Sequence, residues 1–495
     1  MRLVEMLKGG GKLLESIAEA RECNITGLTC DSRKVEPGFL FAAMPGTEMD
    51  GRNFIEDAIK RGAGAILGPV GSRAVSEYIE IPFITDDNPR RLYAELAARF
   101  FEQQPKTIAA ITGTSGKTSV SQFLRQIWNI SGLKAATLGT LGLQVSGSTG
   151  RLMLSHNDIG LTTPDPADLH RQLRTVSGLD VQHLAIEASS HGLDQRRLDG
   201  VRISAAAFTN LSHDHLDYHK NEEDYFLAKR RLFEDLLEDT GTAVINADQS
   251  YAEHIASVCQ KRSLSVICYG YNGDRVRLVQ LSSENGGQLM TIDIDGRLYH
   301  ALIPLVGDFQ ASNALCAVSL ALSSGIEANV LISALQYLKG VPGRMQLIGS
   351  NSVGGRVYVD YAHKPDALKH ALHALRPHTA RKLIVLFGCG GERDLEKRPE
   401  MGRVASELAD KVFITDDNPR GERPADIRRA INSGCTDAIV IGDREDAIAA
   451  AIKMLAGGDV LLVAGKGHEV GQVIGDKVIP FDDSEVVRRL IRGGI

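Results

Sequence analysis

Thr-Gly-Thr-Ser-Gly-Lys-Thr-Ser, residues 112–119, directly follows the apolar run Ile108-Ala-Ala-Ile111. This order indicates a buried strand, a glycine-rich loop and a helix whose apolar face begins with Val120 and Phe123. The glycines let backbone N–H groups turn inward, and the lysine can reach the outer phosphates of a nucleotide. Ile111 stands where the full phosphate-loop pattern has its first glycine, so a capped strand-to-helix turn is the alternative. The flanking strand and amphipathic helix favour a nucleoside triphosphate site.

The loop supplies a first set of candidate ligands. Lys117 is expected to contact the outer phosphates, and the Thr118 hydroxyl can bind Mg²⁺ at the start of the helix. The candidate ATP-binding residues of the loop are Gly113, Thr114, Ser115, Gly116, Lys117, Thr118 and Ser119.

Length and composition are those of a multidomain globular chain. Its 495 residues exceed what one core holds and correspond to about three domains at roughly 150 residues each. Hydrophobic residues make up 43% and charged residues 24%, the usual balance of a folded protein. The net charge of -6 argues against a nucleic-acid partner, because such proteins normally present a basic face. We expect small-molecule substrates and, by default, a monomer.

The cysteine pattern and the N-terminal sequence indicate the cellular compartment of the protein. The 7 cysteines never occur as Cys-x-x-Cys, so neither a disulfide framework nor a zinc knuckle is indicated. Charges and glycines interrupt residues 1–10, and no run approaches the ~20 apolar residues of a membrane span. These features predict a cytoplasmic protein without a membrane span.

The order of strand-like and helix-like segments predicts an α/β fold of three domains. Residues 1–105 contain short mixed elements that indicate a small module. Residues 106–340 begin with the phosphate-loop unit and repeat apolar strands at 183–187 and 203–208, which is typical of a central parallel sheet. Residues 341–495 alternate more regularly and predict a Rossmann-like C-terminal domain. Its strands are predicted at 356–359, 382–387, 412–415, 438–441 and 460–463.

Three loops of the last segment follow strand ends, and such loops meet at one edge of a parallel sheet, where ligands bind. They comprise residues 388–394, 416–420 and 465–469. Arg393, Arg420 and Glu469 there offer two cations and one anion. Helix caps and exposed turns are the alternative interpretation, since Asn418-Pro419 is a common helix start.

A seven-residue segment occurs twice. Ile84-Thr-Asp-Asp-Asn-Pro-Arg90 repeats Ile414-Thr-Asp-Asp-Asn-Pro-Arg420 residue for residue. Only one copy need be a binding site. The first copy precedes a helix-like segment with Leu92 and Leu96, so we interpret it as a strand end followed by a helix cap.

A histidine-rich loop follows the second strand of the middle segment. It contains His213, Asp214, His215, Asp217 and His219. Similar clusters bind zinc in hydrolases, so a metal hydrolase is an alternative from another functional class. Beside a triphosphate site the same loop can instead position Mg²⁺ and its waters.

Two more residues stand out near this loop. Glu187 ends the strand at 183–187, where a carboxylate can hold a metal opposite the phosphate loop. Lys229 lies in a helix-like segment, and composition alone indicates an ordinary solvated lysine.

These motifs, in this order, resemble the Mur ligase family of peptidoglycan synthesis, which comprises three-domain, ATP-dependent enzymes that form amide bonds. The resemblance spans nearly the whole chain. Its motifs are Thr112–Thr118, Glu187–His191, Asn210–Ser212, Asp214–Asp217, Gly307–Phe309 with Asn313, Gly343-Arg344, and Asp360–His363. In addition, Asp417–Arg420 matches the motif with which relatives recognise diaminopimelate.

The resemblance implies which residues hold each substrate. It places the uridine end of the substrate at Cys30 and Ser32, with Thr47–Met49 as a further contact, although position 30 carries Cys where Leu is expected. The sugar-peptide would contact Thr162, Thr163, Ser189, Gln195 and Arg197. The nucleotide would also contact Asn313, Arg344 and Asp360. Diaminopimelate would contact Arg393, Asp417, Asn418, Pro419, Arg420, Gly465 and Glu469, while Lys364 has no assigned role.

The resemblance reverses the interpretation of Lys229, which aligns with a lysine that relatives carry as a carbamate. Addition of CO₂ turns this cation into an anion that can bind Mg²⁺. The implied metal ligands are Thr118, Glu187 and the modified Lys229. The implied catalytic residues are Lys117, Glu187, His215 and Lys229, with His215 orienting metal-bound water or substrate.

The implied reaction has two steps. The D-glutamate γ-carboxylate of UDP-MurNAc-L-Ala-D-Glu attacks the γ-phosphate of ATP, while Mg²⁺ and Lys117 neutralise the charge of the transferred group. The amine of meso-diaminopimelate then attacks the acyl phosphate. The forked guanidinium of Arg420 suits the distal carboxylate, which lysine lacks. Mg²⁺ is the implied cofactor and ATP the co-substrate.

Other functions stay open at this point. Folylpolyglutamate synthases share the phosphate loop, the carbamylated lysine and a Tyr-Ala-His stretch, but they lack the UDP-binding module that residues 1–105 would form. A metal hydrolase without ATP and a nucleotide-regulated binding protein are the alternatives from other classes.

Overall fold

The computed structural model describes residues 1–8, 12–13, 22–46, 49–72, 81–147, 161–212, 214–215, 218–284 and 286–493. The chain divides into two compact units. Unit 1 comprises Met1–Asp274 and Cys316–Ile326, and unit 2 comprises Arg275–Leu315 and Glu327–Ile495. No helix of the described ranges is both long and apolar enough to cross a membrane.

The first part of unit 1 is built on a five-stranded sheet. Its strands are β1 (Lys12–Leu13), β2 (Gly27–Thr29), β3 (Phe39–Ala42), β4 (Ala65–Pro69) and β5 (Phe83–Asp86), in the spatial order β1-β5-β4-β3-β2. Only β1 runs antiparallel to its neighbour. The α-helices are α1 (Leu3–Met6), α2 (Ile55–Lys60) and α3 (Pro89–Phe101), with 3₁₀ turns at Ser32–Lys34 and Gly51–Phe54. Leu40 and Ile66, on the central strands β3 and β4, are fully buried.

The second sheet of unit 1 carries the phosphate loop. Its strands are β6 (Thr107–Thr112), β7 (Ala135–Gly139), β8 (Gly142–Val145), β9 (His183–Glu187), β10 (Ile203–Phe208), β11 (Leu237–Asn246) and β12 (Ser265–Gly270), in the order β12-β11-β10-β6-β9-β7-β8. All neighbours are parallel except the β7–β8 hairpin. The helices are α4 (Lys117–Ile130), α5 (Pro166–Gly178), α6 (Ser190–Asp194), α7 (Glu222–Arg231) and α8 (Ala252–Lys261), with a π-helical turn at Leu232–Leu236. The predicted strands at 183–187 and 203–208 and the strand–loop–helix unit are confirmed.

Unit 2 contains an antiparallel meander and a second α/β sheet. The meander is β13 (Val276–Glu284), β14 (Gly287–Ile294) and β15 (Arg297–Ile303), which the sequence reading did not predict. The sheet contains β16 (Gln346–Ser350), β17 (Arg356–Asp360), β18 (Leu383–Phe387), β19 (Lys411–Ile414), β20 (Ile439–Val440) and β21 (Val460–Ala464), in the order β16-β17-β21-β18-β19-β20. Only β16 is antiparallel, so the alternating pattern predicted for this segment is confirmed.

The remaining elements follow or cover these strands. A hairpin is formed by β22 (Gly471–Ile474) and β23 (Lys477–Pro480). The helices are α9 (Asp308–Ser323), α10 (Ala328–Leu335), α11 (Pro365–Leu375), α12 (Lys397–Leu408), α13 (Pro424–Asn432), α14 (Arg444–Met454) and α15 (Asp483–Arg492), with a 3₁₀ turn at Arg376–His378.

The two copies of the repeated segment adopt different structures. In the first copy Asn88 caps α3 by accepting a hydrogen bond from the Arg91 backbone N–H at 3.2 Å, which confirms the predicted strand end and cap. In the second copy no helix begins at Pro419, so the helix-start alternative is wrong there. Arg420 has φ +50° and exchanges backbone hydrogen bonds with Val473 and Gly475.

A buried histidine in α5 predicts acid sensitivity of folding. His170 is 1% exposed, and burial lowers its pKa to about 4. Because the unfolded chain has the higher pKa, stability is complete above about pH 6.5 and falls as the pH drops toward 4, by on the order of 3 kcal/mol. Chemical denaturation of His170→Leu should therefore show a weaker loss between these pH values than the wild type. Replacement of the exposed His300 by Gln is the control, and an unchanged pH profile in His170→Leu would contradict the assignment.

Candidate functional site

The phosphate loop lies at the carboxyl end of β6 and is fixed by the segment that follows β10. Gly113 and Gly116 have φ values of +147° and +89°, which glycine tolerates. The Thr209 hydroxyl donates a hydrogen bond to the Ser115 carbonyl at 2.7 Å, and Asn210 Oδ1 accepts one from the Ser115 N–H at 2.8 Å. The loop is therefore held from both sides of Ser115.

Lys117 and Thr118 begin helix α4 at the loop. Lys117 Nζ donates to the carbonyls of Gly113 and Thr114 at 2.8 and 2.9 Å, so the ammonium lies against the loop backbone. The Thr118 hydroxyl donates to Glu187 Oε2 at 2.9 Å. The sequence prediction that these side chains gather around one loop is supported by this geometry.

Glu187 is 2% exposed and has neutral donors on both carboxylate oxygens. Oε1 accepts from the Thr140 N–H at 2.9 Å, and Oε2 accepts from the Thr140 hydroxyl at 3.0 Å. Burial raises the pKa of Glu187, while the charge of Lys117 opposes the shift. The carboxylate is thus oriented by hydroxyl and amide donors without a salt bridge among the described residues.

Lys229 is buried, against the interpretation from composition as a solvated lysine. Its side chain is 1% exposed, Nζ donates to the Gly113 carbonyl at 2.9 Å, and Nζ lies 4.3 Å from the centre of the Tyr225 ring. Burial, followed by the charge of Lys117, lowers the pKa of Lys229 well below its ordinary value, and Asp214 opposes this. Two lysines therefore contact the same loop carbonyl.

His215 lies among aromatic side chains next to this cluster. Its ring centre is 4.9 Å from that of His191 and 6.0 Å from that of Tyr225. Burial lowers the pKa of His215 to about 4, although Asp214 raises it. The imidazole is therefore neutral at physiological pH.

The candidate substrate residues of unit 1 form a connected group after β9. The Thr163 hydroxyl lies 3.1 Å from the Ser189 hydroxyl and donates to the Glu187 carbonyl at 2.8 Å. Arg197 donates to the Thr163 carbonyl at 2.7 Å and to Gln195 Oε1 at 2.6 Å. The Thr162 hydroxyl lies 3.2 Å from that of Thr140, which itself binds Glu187. The structure thus connects these five predicted contacts to Glu187, through its backbone carbonyl and through Thr140.

The first part of unit 1 meets this group through Asp165, which the sequence analysis missed. Cys30 Sγ donates to Asp165 Oδ2 at 3.1 Å, and the Tyr93 hydroxyl donates to Oδ1 at 3.0 Å. Asp165 also caps α5, and its position before Pro166 is the signal that could have revealed it. Ser32 is buried in the adjacent 3₁₀ turn. Of Thr47–Met49, positions 47 and 48 lie outside the described residues.

In unit 2 the three candidate nucleotide residues lie together. Asp360 accepts hydrogen bonds from the N–H groups of Met345 and Ala362 at 2.6 and 2.8 Å, and burial raises its pKa. The guanidinium of Arg344 lies 4.4 Å from the centre of the Tyr361 ring. Gln310 connects Asn313 to the Arg344 carbonyl, with hydrogen bonds of 3.4 and 3.3 Å. Lys364 stands at the N-cap position of α11.

The three loops predicted to meet at the sheet edge of unit 2 do so. Arg420 Nη1 donates to the Gly391 carbonyl at 2.9 Å, which joins the loops after β18 and β19. Asn418 Nδ2 donates to Glu469 Oε2 at 2.9 Å, which joins the loops after β19 and β21. A side chain at Gly465 would lie 2.7 Å from Asp417 Oδ2.

The charges of these loops are only partly neutralised. Among the residues that the structure describes, neither Arg393 nor Arg420 forms a salt bridge with a carboxylate. Glu469 has a 34% exposed side chain and pairs with Lys466. Arg393, Arg420 and Glu469 therefore lie on loops of this edge, and neither guanidinium group has a carboxylate partner among the described residues.

Three family models match the chain in sequence order. They are Mur ligase family, catalytic domain (residues 24–101), Mur ligase middle domain (residues 111–321) and Mur ligase, glutamate ligase domain (residues 343–467). A curated relative from Chelativorans sp. (strain BNC1), named UDP-N-acetylmuramoyl-L-alanyl-D-glutamate--2,6-diaminopimelate ligase, is 47% identical and covers 96% of this chain and 96% of its own length. The chain belongs to the Mur ligase family.

Solved structures agree with membership of the Mur ligase family. A structure titled UDP-N-acetylmuramoyl-L-alanyl-D-glutamate--2,6-diaminopimelate ligase has a TM-score of 0.72 and 30% identity, and it covers 100% of this chain and 99% of its own. A Mycobacterium tuberculosis folylpolyglutamate synthase complexed with ADP has a TM-score of 0.59 and 18% identity, covers 76% of this chain and 91% of its own, and shows the fold alone. The predicted three-domain α/β fold is confirmed, and this Mur ligase is an ATP-dependent enzyme that forms amide bonds.

The hydrolase alternative does not fit a Mur ligase. Within the described ranges no three His, Cys, Asp or Glu side chains gather as metal ligands would. His213 and Asp217 of the predicted cluster lie outside those ranges. His219 packs its ring 5.7 Å from the His191 ring, centre to centre, so it belongs to the aromatic group around His215.

The close approach at Gly113 gives a test of the Mur ligase phosphate loop. A Cβ atom at Gly113 would lie 1.9 Å from Thr209 Oγ1, and its φ of +147° disfavours other residues. Gly113→Ala should displace the loop and raise the KM for ATP at least about tenfold. The control is Gly132→Ala, which has φ +84° but no atom within 4 Å. Equal ATP kinetics in the two variants would refute this role of the loop.

Proposed function

We propose that this chain adds meso-diaminopimelate to the D-glutamate γ-carboxylate of UDP-MurNAc-L-Ala-D-Glu, with hydrolysis of ATP to ADP and phosphate, in peptidoglycan biosynthesis. The observation that carries the proposal is the sheet edge of unit 2, where Arg393, Arg420 and Glu469 match a ligand bearing carboxylate and ammonium groups. The relatives' name supports it. We place the reaction in the cytoplasm and take the chain to act as a monomer.

The domain boundaries follow from the same assignment. Residues 1–105 would bind the UDP-substrate, residues 106–340 the ATP phosphates, and residues 341–495 the amino acid. Cys30 and Ser32 would contact the uridine end, and the group around Thr163 and Arg197 would contact the sugar-peptide.

The residues of unit 1 fit Mg²⁺ by their donor chemistry. The Thr118 hydroxyl and the Glu187 carboxylate are oxygen donors of the kind that Mg²⁺ prefers. Lys229 offers no oxygen as an amine, but its carbamate would. Its lowered pKa favours the neutral amine, which adds CO₂ and releases one proton. A bound Mg²⁺ would neutralise negative charge on the ATP phosphates.

The first step forms an acyl phosphate. A γ-carboxylate oxygen attacks the γ-phosphorus of ATP, the bond to the β,γ-bridging oxygen breaks, and ADP leaves. The ammonium of Lys117, next to the loop carbonyls, would stabilise the charge that spreads over the transferred group. The N–H groups of the loop would hold the phosphates in line.

The second step forms the amide. The amine of diaminopimelate attacks the acyl carbon, phosphate leaves with the electron pair of the C–O bond, and the nitrogen loses one proton. The neutral His215 would orient the substrate as a hydrogen-bond partner. The guanidinium groups of Arg393 and Arg420 would hold the distal carboxylate.

A phosphate-release assay tests the proposal. Release should require UDP-MurNAc-L-Ala-D-Glu, diaminopimelate and ATP together, and it should vanish without Mg²⁺. A folate substrate in place of the UDP-substrate should give no release. Release that depends on folate, or that proceeds without either acceptor, would refute the proposed function.

A further inference from the structure

Lys466 is a fully buried lysine inside the candidate amino-acid site of unit 2. Its exposed fraction is 0%, and it follows Gly465 in the loop after β21. Nζ donates to Asn418 Oδ1 at 3.1 Å and to Glu469 Oε2 at 3.2 Å. A buried ammonium is stable only where hydrogen-bond acceptors surround it, and these two side chains supply them.

The contacts of Lys466 form a closed triangle. Asn418 Nδ2 donates to the same Glu469 Oε2 that Lys466 binds, at 2.9 Å. The Val473 N–H donates to Asn418 Oδ1 at 3.0 Å and holds the amide from the other side. All three side chains are therefore fixed in orientation before a ligand arrives.

The three hydrogen-bonded side chains use only one of the two carboxylate oxygens of Glu469. Within the described part of the chain, Glu469 Oε1 accepts no hydrogen bond, and the Glu469 side chain is 34% exposed. Nearby, Arg420 binds the Asn418 carbonyl through Nη1 and pairs with no carboxylate among those residues. The Glu469 carboxylate thus contacts the Asn418 side chain, and the Arg420 guanidinium contacts the Asn418 backbone carbonyl.

We propose that Lys466 is a positioning residue for the amino-acid substrate, which fixes the Glu469 carboxylate so that Oε1 receives the ammonium group at the distal centre of the diamino acid. This inference rests on the proposed function. Arg420 would bind the distal carboxylate and Glu469 would bind the distal ammonium. The site would then contact both charged groups of the distal centre. Lys466 itself does not touch the substrate.

Substitution by methionine is compatible with folding. Methionine fills the space of the lysine stem, Asn418 keeps the hydrogen bond from Val473, and Glu469 keeps its contact with water. Lys466→Met should raise the KM for diaminopimelate at least about tenfold and leave kcat within about threefold, since only uniform binding of the ligand is lost. The exposed Lys477→Met is the control, with unchanged kinetics.

A double-mutant cycle with Glu469→Gln distinguishes positioning from general structural damage. If Lys466 acts through Glu469, adding Lys466→Met to Glu469→Gln should change the KM for diaminopimelate by less than about twofold. Inhibition by 2-aminopimelate, which has the distal carboxylate but no distal ammonium, should be equal within about twofold in the wild type and both single variants.

The outcomes separate this inference from the proposed function. Additive effects in the cycle, a wild-type KM in Lys466→Met, or an equal loss of 2-aminopimelate inhibition would overturn the role of Lys466. Failure of the wild type to consume diaminopimelate would instead overturn the proposed function, whatever the variants do.

Discussion

Arg420→Ala should lower kcat/KM for diaminopimelate by about 10³-fold, while the KM for ATP changes less than about threefold. The Arg420 guanidinium is proposed to pair with the distal carboxylate together with that of Arg393, and its loss leaves that carboxylate with one charged donor in place of two. For the same reason, the wild type should use L-lysine at least about 10⁴-fold less well than diaminopimelate, because lysine leaves a polar site unpaired. Steady-state kinetics with both amino acids measure these ratios.

A neighbouring arginine provides the control for Arg420. Arg423 lies three residues further along and its side chain is 83% exposed. Arg423→Ala should keep wild-type kinetics with both amino acids. Comparable wild-type rates with lysine and diaminopimelate, or equal losses in the two variants, would show that Arg420 does not select the substrate.

Lys229→Ala should lower kcat at least about 10³-fold, since it removes both the contact to the Gly113 carbonyl and the proposed carbamate ligand. Removal of dissolved CO₂ should lower the activity of the wild type, and added bicarbonate should restore it. Intact-protein mass measurement under nondenaturing conditions should show the added CO₂.

The control for Lys229 is its neighbour in the same helix. Arg230 forms a surface salt bridge with Glu234 at 3.0 Å, so Arg230→Ala should cost little activity. Full activity of Lys229→Ala, or a wild-type rate that is the same with and without dissolved CO₂, would exclude the carbamate.

The phosphate loop was predictable because its signals are local. Strand β6, the loop and helix α4 follow from an apolar run, two glycines and an amphipathic pattern within about 20 residues. The parallel sheet of unit 2 was predictable for the same reason, since strand and helix patterns alternate there at regular spacing.

The features that the sequence did not predict depend on contacts between residues far apart in the chain. Lys229 reads as a surface residue, yet residues far away in the chain bury it against Gly113. Lys466 likewise lies beside two predicted ligands without itself giving a signal. The repeated segment shows the limit most directly, because Asn88 caps a helix while the identical Asn418 binds Lys466 and Glu469.

The acyl-phosphate mechanism can be tested by following one oxygen atom of the γ-carboxylate into the products. UDP-MurNAc-L-Ala-D-Glu labelled with ¹⁸O in the γ-carboxylate would be incubated with the purified chain, ATP, Mg²⁺ and meso-diaminopimelate, and both products would be analysed by mass spectrometry. An acyl-phosphate mechanism predicts a diaminopimelate amide of the substrate and one ¹⁸O atom in the released phosphate, because the carboxylate oxygen leaves with the phosphoryl group. Phosphate without label, or no amide product, would contradict it.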